Sequence, residues 1–339
     1  MSFPDRHPTP DTRHLRPKNF ALEATTSPDY PQDPTARNQW ILNRRGPRNR
    51  VNPDRPYHFF WEKELDASGE PCSTATIFLT NRECPWRCLM CDLWKNTLTE
   101  SLPQGAIPRQ ISYALRQLPP ARQIKLYNNG SFFDPQAIPT KDHAIIAERL
   151  TGFERVIVEC HPGLVGKTCN QFNDRIPGRL QVAMGLETVH PEILEKLNKR
   201  MTLDQFAKAS SDLDASGIEL RAFILVKPPF MPEEEALHWA ARSLDFAFEC
   251  GATVACLIPT RAGNGAMETL EQSGLFAPPR LTTLATAVAN GINSKRGRVF
   301  VDLWNIDELY PHDPGLLQTK LRLEFMNTHQ RVPNGRDCP

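Results

Sequence analysis

Cys84, Cys88 and Cys91 fall within eight residues, CPWRCLMC, directly after the β-branched run ATIFLT at 75–80. Thiolates at C-x3-C-x2-C spacing can wrap three corners of a cubane iron–sulfur cluster and leave its fourth iron without a protein ligand, and an open iron is a place for chemistry. The plainer alternative is a structural zinc knuckle. Such sites usually close with four ligands in two separated pairs, and no second C-x2-C or H-x3-H pair follows the triplet. Arg82 and Arg87 stand beside the cysteines, and positive neighbours stabilise a ligating thiolate.

The elements that must hold this loop follow in regular order. Short β-branched or aliphatic runs lie at 75–80, 123–128, 155–159, 180–185, 219–226 and 252–258, with helix-period segments between most of them at 108–118, 141–150, 191–198, 203–216 and 232–249. Strand and helix in turn, six times over, predict parallel strands joined by crossovers. The class is α/β and the architecture a partial (β/α)6 TIM-like barrel, with a further run at 298–304 extending the sheet edge. In such barrels the chemistry collects on loops at the carboxyl ends of the strands. Four loops there carry polar residues: NNGSFFDP (128–135), MGLETVHPEILEKLNKRMT (184–202), VKPPFMPEEE (226–235) and LIPTRAGNGAM (257–267).

The cysteine spacing at the end of a first strand resembles the radical S-adenosylmethionine (radical SAM) superfamily. That resemblance implies a [4Fe–4S] cluster on the three cysteines, SAM chelated to the open iron, and reductive cleavage to a 5′-deoxyadenosyl radical. It assigns Asn129, Gly130 and Ser131 to the loop that holds the SAM amine. It assigns Glu187 to the ribose hydroxyls, and Lys199 or Arg200 to the methionyl carboxylate. By residue type alone Glu187 could be a helix-start carboxylate and Lys199 a solvated charge. Lys227, Arg261 and Asn264, in the last two loops, are candidate substrate contacts. CPWRCLMCDLW, GLET followed by LNK, KPPF, and IPT with LFAPP (275–279) together resemble archaeosine synthase and the Elongator-catalytic-subunit, methylthiotransferase and nitrogenase-cofactor type of core. The likeness spans roughly 75–280, with departures at Met90, where many members carry an aromatic, and at Arg200, where glycine is expected. It implies a modified tRNA nucleoside as substrate, a partner enzyme, and a flavodoxin- or ferredoxin-like electron donor.

Net charge is +1 over 339 residues, but residues 1–60 hold ten Lys/Arg against six Asp/Glu. Residues 1–57 read as a Pro/Arg-rich, largely irregular extension whose first 36 residues cannot bury much apolar surface. In it Arg44, Arg45, Arg48, Arg50 and Arg55 are candidate phosphate contacts. The core domain is expected over 58–306 and a tail without a site over 307–339. Nine scattered cysteines suggest no disulfide framework, and no apolar stretch approaches the roughly 20 residues of a membrane span, so the expected location is cytoplasmic. Two other functions compete: radical chemistry on a small metabolite or protein side chain, and an iron–sulfur electron carrier or sensor without SAM chemistry. A carrier has no need of a ribose contact or a six-repeat barrel.

Overall fold

The computed structural model describes residues 30–334. Eight strands form one sheet in sequence order: β1 (His58–Leu65), β2 (Pro71–Phe78), β3 (Gln123–Tyr127), β4 (Arg155–Glu159), β5 (Arg179–Glu187), β6 (Glu219–Val226), β7 (Ala252–Pro259) and β8 (Arg298–Val301). β1 runs antiparallel to β2 and every later pair is parallel. Six β/α units, β2 to β7, therefore build the expected partial barrel, with β1 and β8 at its two edges. The six predicted runs each lie in one of these strands. β1 is an addition to the sequence reading.

No ladder joins β1 to β8 among the described residues. The seam is bridged instead by Arg298, whose guanidinium donates to the Leu65 carbonyl at 2.6 Å, and by apolar contact among Leu65, Val254 and Phe300. Helices cover the convex face: α2 (Ala106–Leu115), α3 (His143–Arg149), α4 (Lys167–Asn173), α5 (Pro191–Lys196), α6 (Leu203–Ala215), α7 (Glu233–Glu249) and α9 (Leu281–Asn293), while α8 (Ala266–Gln272) packs with Tyr30, Trp40, Ile41 and Leu89 in a separate cluster. Residues at every second strand position, such as Ile77, Ile124, Leu126, Val156, Val158, Val182 and Ile224, are wholly buried in this outer core, as the period of two requires. α6 starts on a capping box in which the Thr202 hydroxyl accepts from Gln205 N and the Gln205 side chain accepts from Thr202 N.

The alternate positions face the lumen, and its floor is ionic. Glu64 of β1 receives Lys125 of β3 at 2.7 Å and both terminal nitrogens of Arg221 of β6, the latter reaching across the barrel. Gln181 of β5 accepts from Arg221 Nε at 2.9 Å. Burial by itself would raise the Glu64 pKa, but Arg221 and Lys125 hold it well below the usual carboxylate range.

Both ends of the chain depart from expectation. Of the 36 residues expected to be mobile, Tyr30 is buried and donates to Lys196 O at 2.5 Å, 34–36 open a helix, and 1–29 lie outside the described residues. α1 (Pro34–Leu42) is capped by Asp33, and Arg37 is buried, donating to Pro31 O and to both the carbonyl and carboxylate of Glu195. The segment 307–334 forms α10 (Ile306–Leu309, begun one residue earlier) and α11 (Leu316–His329), whose Leu323 and Met326 join the core.

Candidate active site

The cysteine loop leaves β2 at the carboxyl edge of the sheet and is tied down on four sides. Leu89 N donates to Leu197 O at 2.9 Å, and Asn198 Nδ2 donates to Arg87 O at 2.7 Å. Asn264 Nδ2 donates to Leu89 O and Cys91 O, at 2.7 and 3.1 Å. Arg87 folds back inside the loop onto the carbonyls of Cys84 and Trp86. From outside, Glu83 gathers Arg45, Arg48 and Arg87, while Arg45 and Arg48 also lie over the Trp94 ring. The arm therefore straps the loop. Gly265 completes the closure, since a Cβ there would sit 1.8 Å from Arg44 O.

Burial pushes the thiols of Cys84, Cys88 and Cys91 up to about 12. The cation that offsets this at Cys84 and Cys88 is Lys199, not the adjacent Arg82 or Arg87, which spend their donors on Ser101 and on carbonyls. Among the described residues no three Cys, His, Asp or Glu side chains converge as a single metal ion requires. Three cysteines on one braced loop are the donor set that three corners of a cubane would take.

Around the loop the strand ends supply polar groups in strained backbone. Asn129 (φ 53°), Glu187 (φ 66°) and Lys227 (φ 54°) stand at or just beyond the ends of β3, β5 and β6 in the left-handed region, and Asn198 and Arg200 flank Lys199 in the same conformation. Outside glycine this geometry is costly and gathers at functional sites. Asn128 is wholly buried with neither its amide oxygen nor its nitrogen partnered, and Asn129 Nδ2, Thr80 Oγ1 and Asn81 Oδ1 are orphaned likewise. Buried polar atoms are nearly always satisfied, so this cluster is shaped for a polar ligand. Gly130 lies close enough that its Cβ would approach Cys84 Cβ to 3.1 Å.

Glu187 and Lys199 are brought together, both buried, with Nζ to Oε1 at 2.6 Å. Their pair fills the space beside Gly185, where a Cβ would collide with both. Glu187 is not at a helix start: His190 caps α5, its Nδ1 accepting from Ile193 N at 3.4 Å. Ser131 is buried and donates to Cys160 Sγ at 3.4 Å.

The remaining candidates do not join this group. Arg200 is exposed and donates to Pro34 O on the arm. Lys227 donates to Ala277 O at 2.5 Å and faces Glu233 at 3.8 Å. Arg261 pairs with Asp302 and donates to Trp304 O. Asn264 braces the cysteine loop as described, because its Oδ1 also accepts from Met267 N and leaves the amide no freedom to meet a substrate.

The sequence reading passed over Glu159, the last residue of β4. Its carboxylate accepts from Asn128 N at 2.8 Å and lies under the N–H groups of Asn129 and Gly130. Burial pushes it up to about 7 even so. His161, two residues on, stacks on Trp86 at 3.8 Å with its Nε2 3.1 Å from Lys199 O. A carboxylate ending the run RVIVE was the available signal. Also missed was the upper lumen, where His58, Phe60, Phe78, Tyr127, Phe223 and Trp304 form a chain of ring contacts with centroids 5.1 to 6.3 Å apart. None of the six is fully buried, and Trp304 is 48% exposed.

No protein-family model matches the chain. It is 25% identical over 231 residues to archaeosine synthase subunit beta of Methanosarcina acetivorans, a match covering 64% of this chain and 66% of that one. It is 24% identical over 199 residues to the protein of the same name from Thermococcus kodakarensis, covering 55% and 61%. The match thus spans less than two thirds of the length of these relatives. Among solved structures, Escherichia coli coproporphyrinogen III oxidase (HemN), described as a radical SAM enzyme, aligns with a TM-score of 0.47 at 12% identity, over 77% of this chain and 56% of that one. The likeness to radical SAM enzymes, and among them to archaeosine synthase, is carried by sequence relatives as well as by the cysteine loop.

Proposed function

We propose that this chain is a radical SAM enzyme that holds a [4Fe–4S] cluster on Cys84, Cys88 and Cys91, binds S-adenosylmethionine beside it, and acts on a nucleoside of tRNA. The observation that carries the proposal is the placing of three half-buried cysteines on one braced loop, an orphaned asparagine cluster and a buried carboxylate–lysine pair at the carboxyl edge of one barrel. When bound, the cluster supplies the electron that cleaves the sulfonium of SAM.

The protein's part is to bind, orient and exclude water. Lys199 places a positive charge near Cys84 and Cys88 and so favours their thiolates. Glu187 is aimed by its left-handed backbone and held by Lys199, which leaves Oε2 to accept from a ligand hydroxyl. The amides of Asn128 and Asn129 offer the donors and acceptor that a zwitterionic ligand would satisfy, and Glu159 gives them a carboxyl that changes charge near neutral pH. The strap and the Asn264 brace close the loop against solvent. In the lumen, half-exposed rings suit stacking of a flat base withdrawn from its neighbours.

Two features support tRNA as the substrate: the name that the two relatives carry, and this aromatic chamber. A partner enzyme and an external one-electron donor belong to the same reading. The test is anaerobic reconstitution followed by dithionite and SAM, with 5′-deoxyadenosine measured with and without bulk tRNA. Cleavage that tRNA stimulates and that Cys84→Ala abolishes, together with the brown chromophore, is the expected result. A full cluster in the triple cysteine variant, or no cleavage by the loaded protein, overturns it.

A further inference from the structure

The outer flank made by α2 and α3 carries several exposed guanidinium groups, two of them without an ion-pair partner among the described residues. Arg109 and Arg116 stand seven residues apart on α2, about 10 Å along its axis, and Arg149 ends α3; with Ser112 and Tyr113 they line a groove of about 510 Å3. The side chains of Arg116 and Arg149 are exposed and make no hydrogen bond or ion pair with any described residue. Arg109 meets Asp54 at 3.0 Å, but both side chains are more than half exposed, and such a pair is readily exchanged for another anion. Arg55 lies over the Tyr113 ring at 4.9 Å and adds a fourth guanidinium at the rim.

This flank differs in charge from the rest of the barrel wall. Residues 106–176 hold nine Lys/Arg against six Asp/Glu, whereas 177–272 hold nine against fourteen. Of the five arginines of the arm, Arg45 and Arg48 are consumed by Glu83, while Arg55 joins this flank. A row of separated guanidinia, of which only Arg109 has a carboxylate partner and that one exposed, suits a repeated anion better than a single one. The planar fork of arginine matches a phosphate in two-point contact. α2 begins at the carboxyl edge of the sheet, after the loop that leaves β2, and ends at Arg116 near the amino edge, so a strand held along it runs down the flank from the barrel mouth.

We infer that the α2–α3 groove binds the phosphodiester backbone of RNA, an inference that rests on the tRNA reading above and adds to it a site outside the barrel. The experiment titrates full-length protein into fluorescently labelled bulk tRNA at a series of salt concentrations and reads anisotropy. Arg116→Gln with Arg149→Gln should weaken binding about tenfold and reduce the log–log salt slope by about 1.4 to 1.8, two contacts' worth of released counterions. Its melting temperature and its tRNA-independent 5′-deoxyadenosine formation should stay at the wild-type level. Lys208→Gln, an exposed charge on the acidic wall, should leave affinity and slope unchanged. Wild-type binding that the double variant retains in full overturns the groove and leaves the tRNA reading standing. Equal losses in the double variant and in Lys208→Gln also overturn it, assigning binding to overall charge. A wild-type protein without salt-dependent tRNA binding overturns the tRNA reading, and the groove with it.

Discussion

The floor and the mouth of this barrel solve opposite problems with the same kinds of residue. At the floor, Glu64, Lys125, Arg221 and Gln181 satisfy one another across the lumen. At the mouth, Asn128, Asn129, Thr80 and Asn81 keep buried polar atoms without partners, and Asn129, Glu187 and Lys227 hold left-handed backbone. Neutralised charge closes the lower lumen, so it offers a ligand nothing. Unsatisfied polarity and strain at the upper rim are paid for by the rest of the fold, and they leave binding energy for a molecule that arrives later.

That contrast can be broken at the floor first. Arg221→Met leaves Glu64 with Lys125 alone and uncovers a buried charge, so it should destabilise the protein by about 3–5 kcal/mol. Urea denaturation reads this directly, and a loss under about 1 kcal/mol would mean the network is only ornamental. A pH test separates the mouth. Glu159 has its folded pKa raised to about 7, above the unfolded value near 4.5. Its contribution is therefore full below pH 4.5 and lost as pH rises through 7. Glu159→Gln should abolish up to roughly 3 kcal/mol of decline across that window, at about 1.4 kcal/mol per pH unit at most. Identical pH–stability curves for the two proteins would contradict the burial argument.

Smaller effects sharpen the same comparison. Glu187→Gln removes a charged acceptor and should weaken SAM binding by roughly 1.5–3 kcal/mol, about tenfold to a hundredfold, while iron content stays intact. Equilibrium dialysis against labelled SAM reads it, and unchanged affinity would return Glu187 to a purely structural partner of Lys199. Asn128→Ala should move stability least, by less than about 1 kcal/mol, because no hydrogen bond is lost with its amide. SAM affinity should nonetheless fall in the same dialysis. A large stability loss would show that the asparagine belongs with the floor.

How far the sequence carried the argument depends on whether the determining contact is local. The six runs alternate with helices, so β2 to β7 and the barrel class were legible from periodicity alone. β1 was not. Its inward positions are Glu62 and Glu64, which read as surface until Lys125 and Arg221 meet them from strands far along the chain. The cysteine loop was legible because its spacing is itself the chemistry. Lys199 and Glu187 could be placed at their strand end and the helix after it, yet their pairing across 12 residues depends on left-handed residues on both sides of the lysine. Two arginines of the arm, Arg45 and Arg48, were illegible for the same reason. A cluster of arginines signals phosphate only while no carboxylate awaits them, and Glu83 was hidden as an ordinary residue before Cys84.

The brace from Asn264 and the close seat of Gly265 under Arg44 also set an order of assembly. A chain emerging amino end first presents its three thiols long before residue 264 exists. The cysteine loop is fastened in two stages, first by Leu197 and Asn198 and then, when the last third of the barrel folds, by Asn264 and the strap. The residues that seal it thus come from the far end of the barrel's sequence, so the loop closes fully only on a nearly finished barrel.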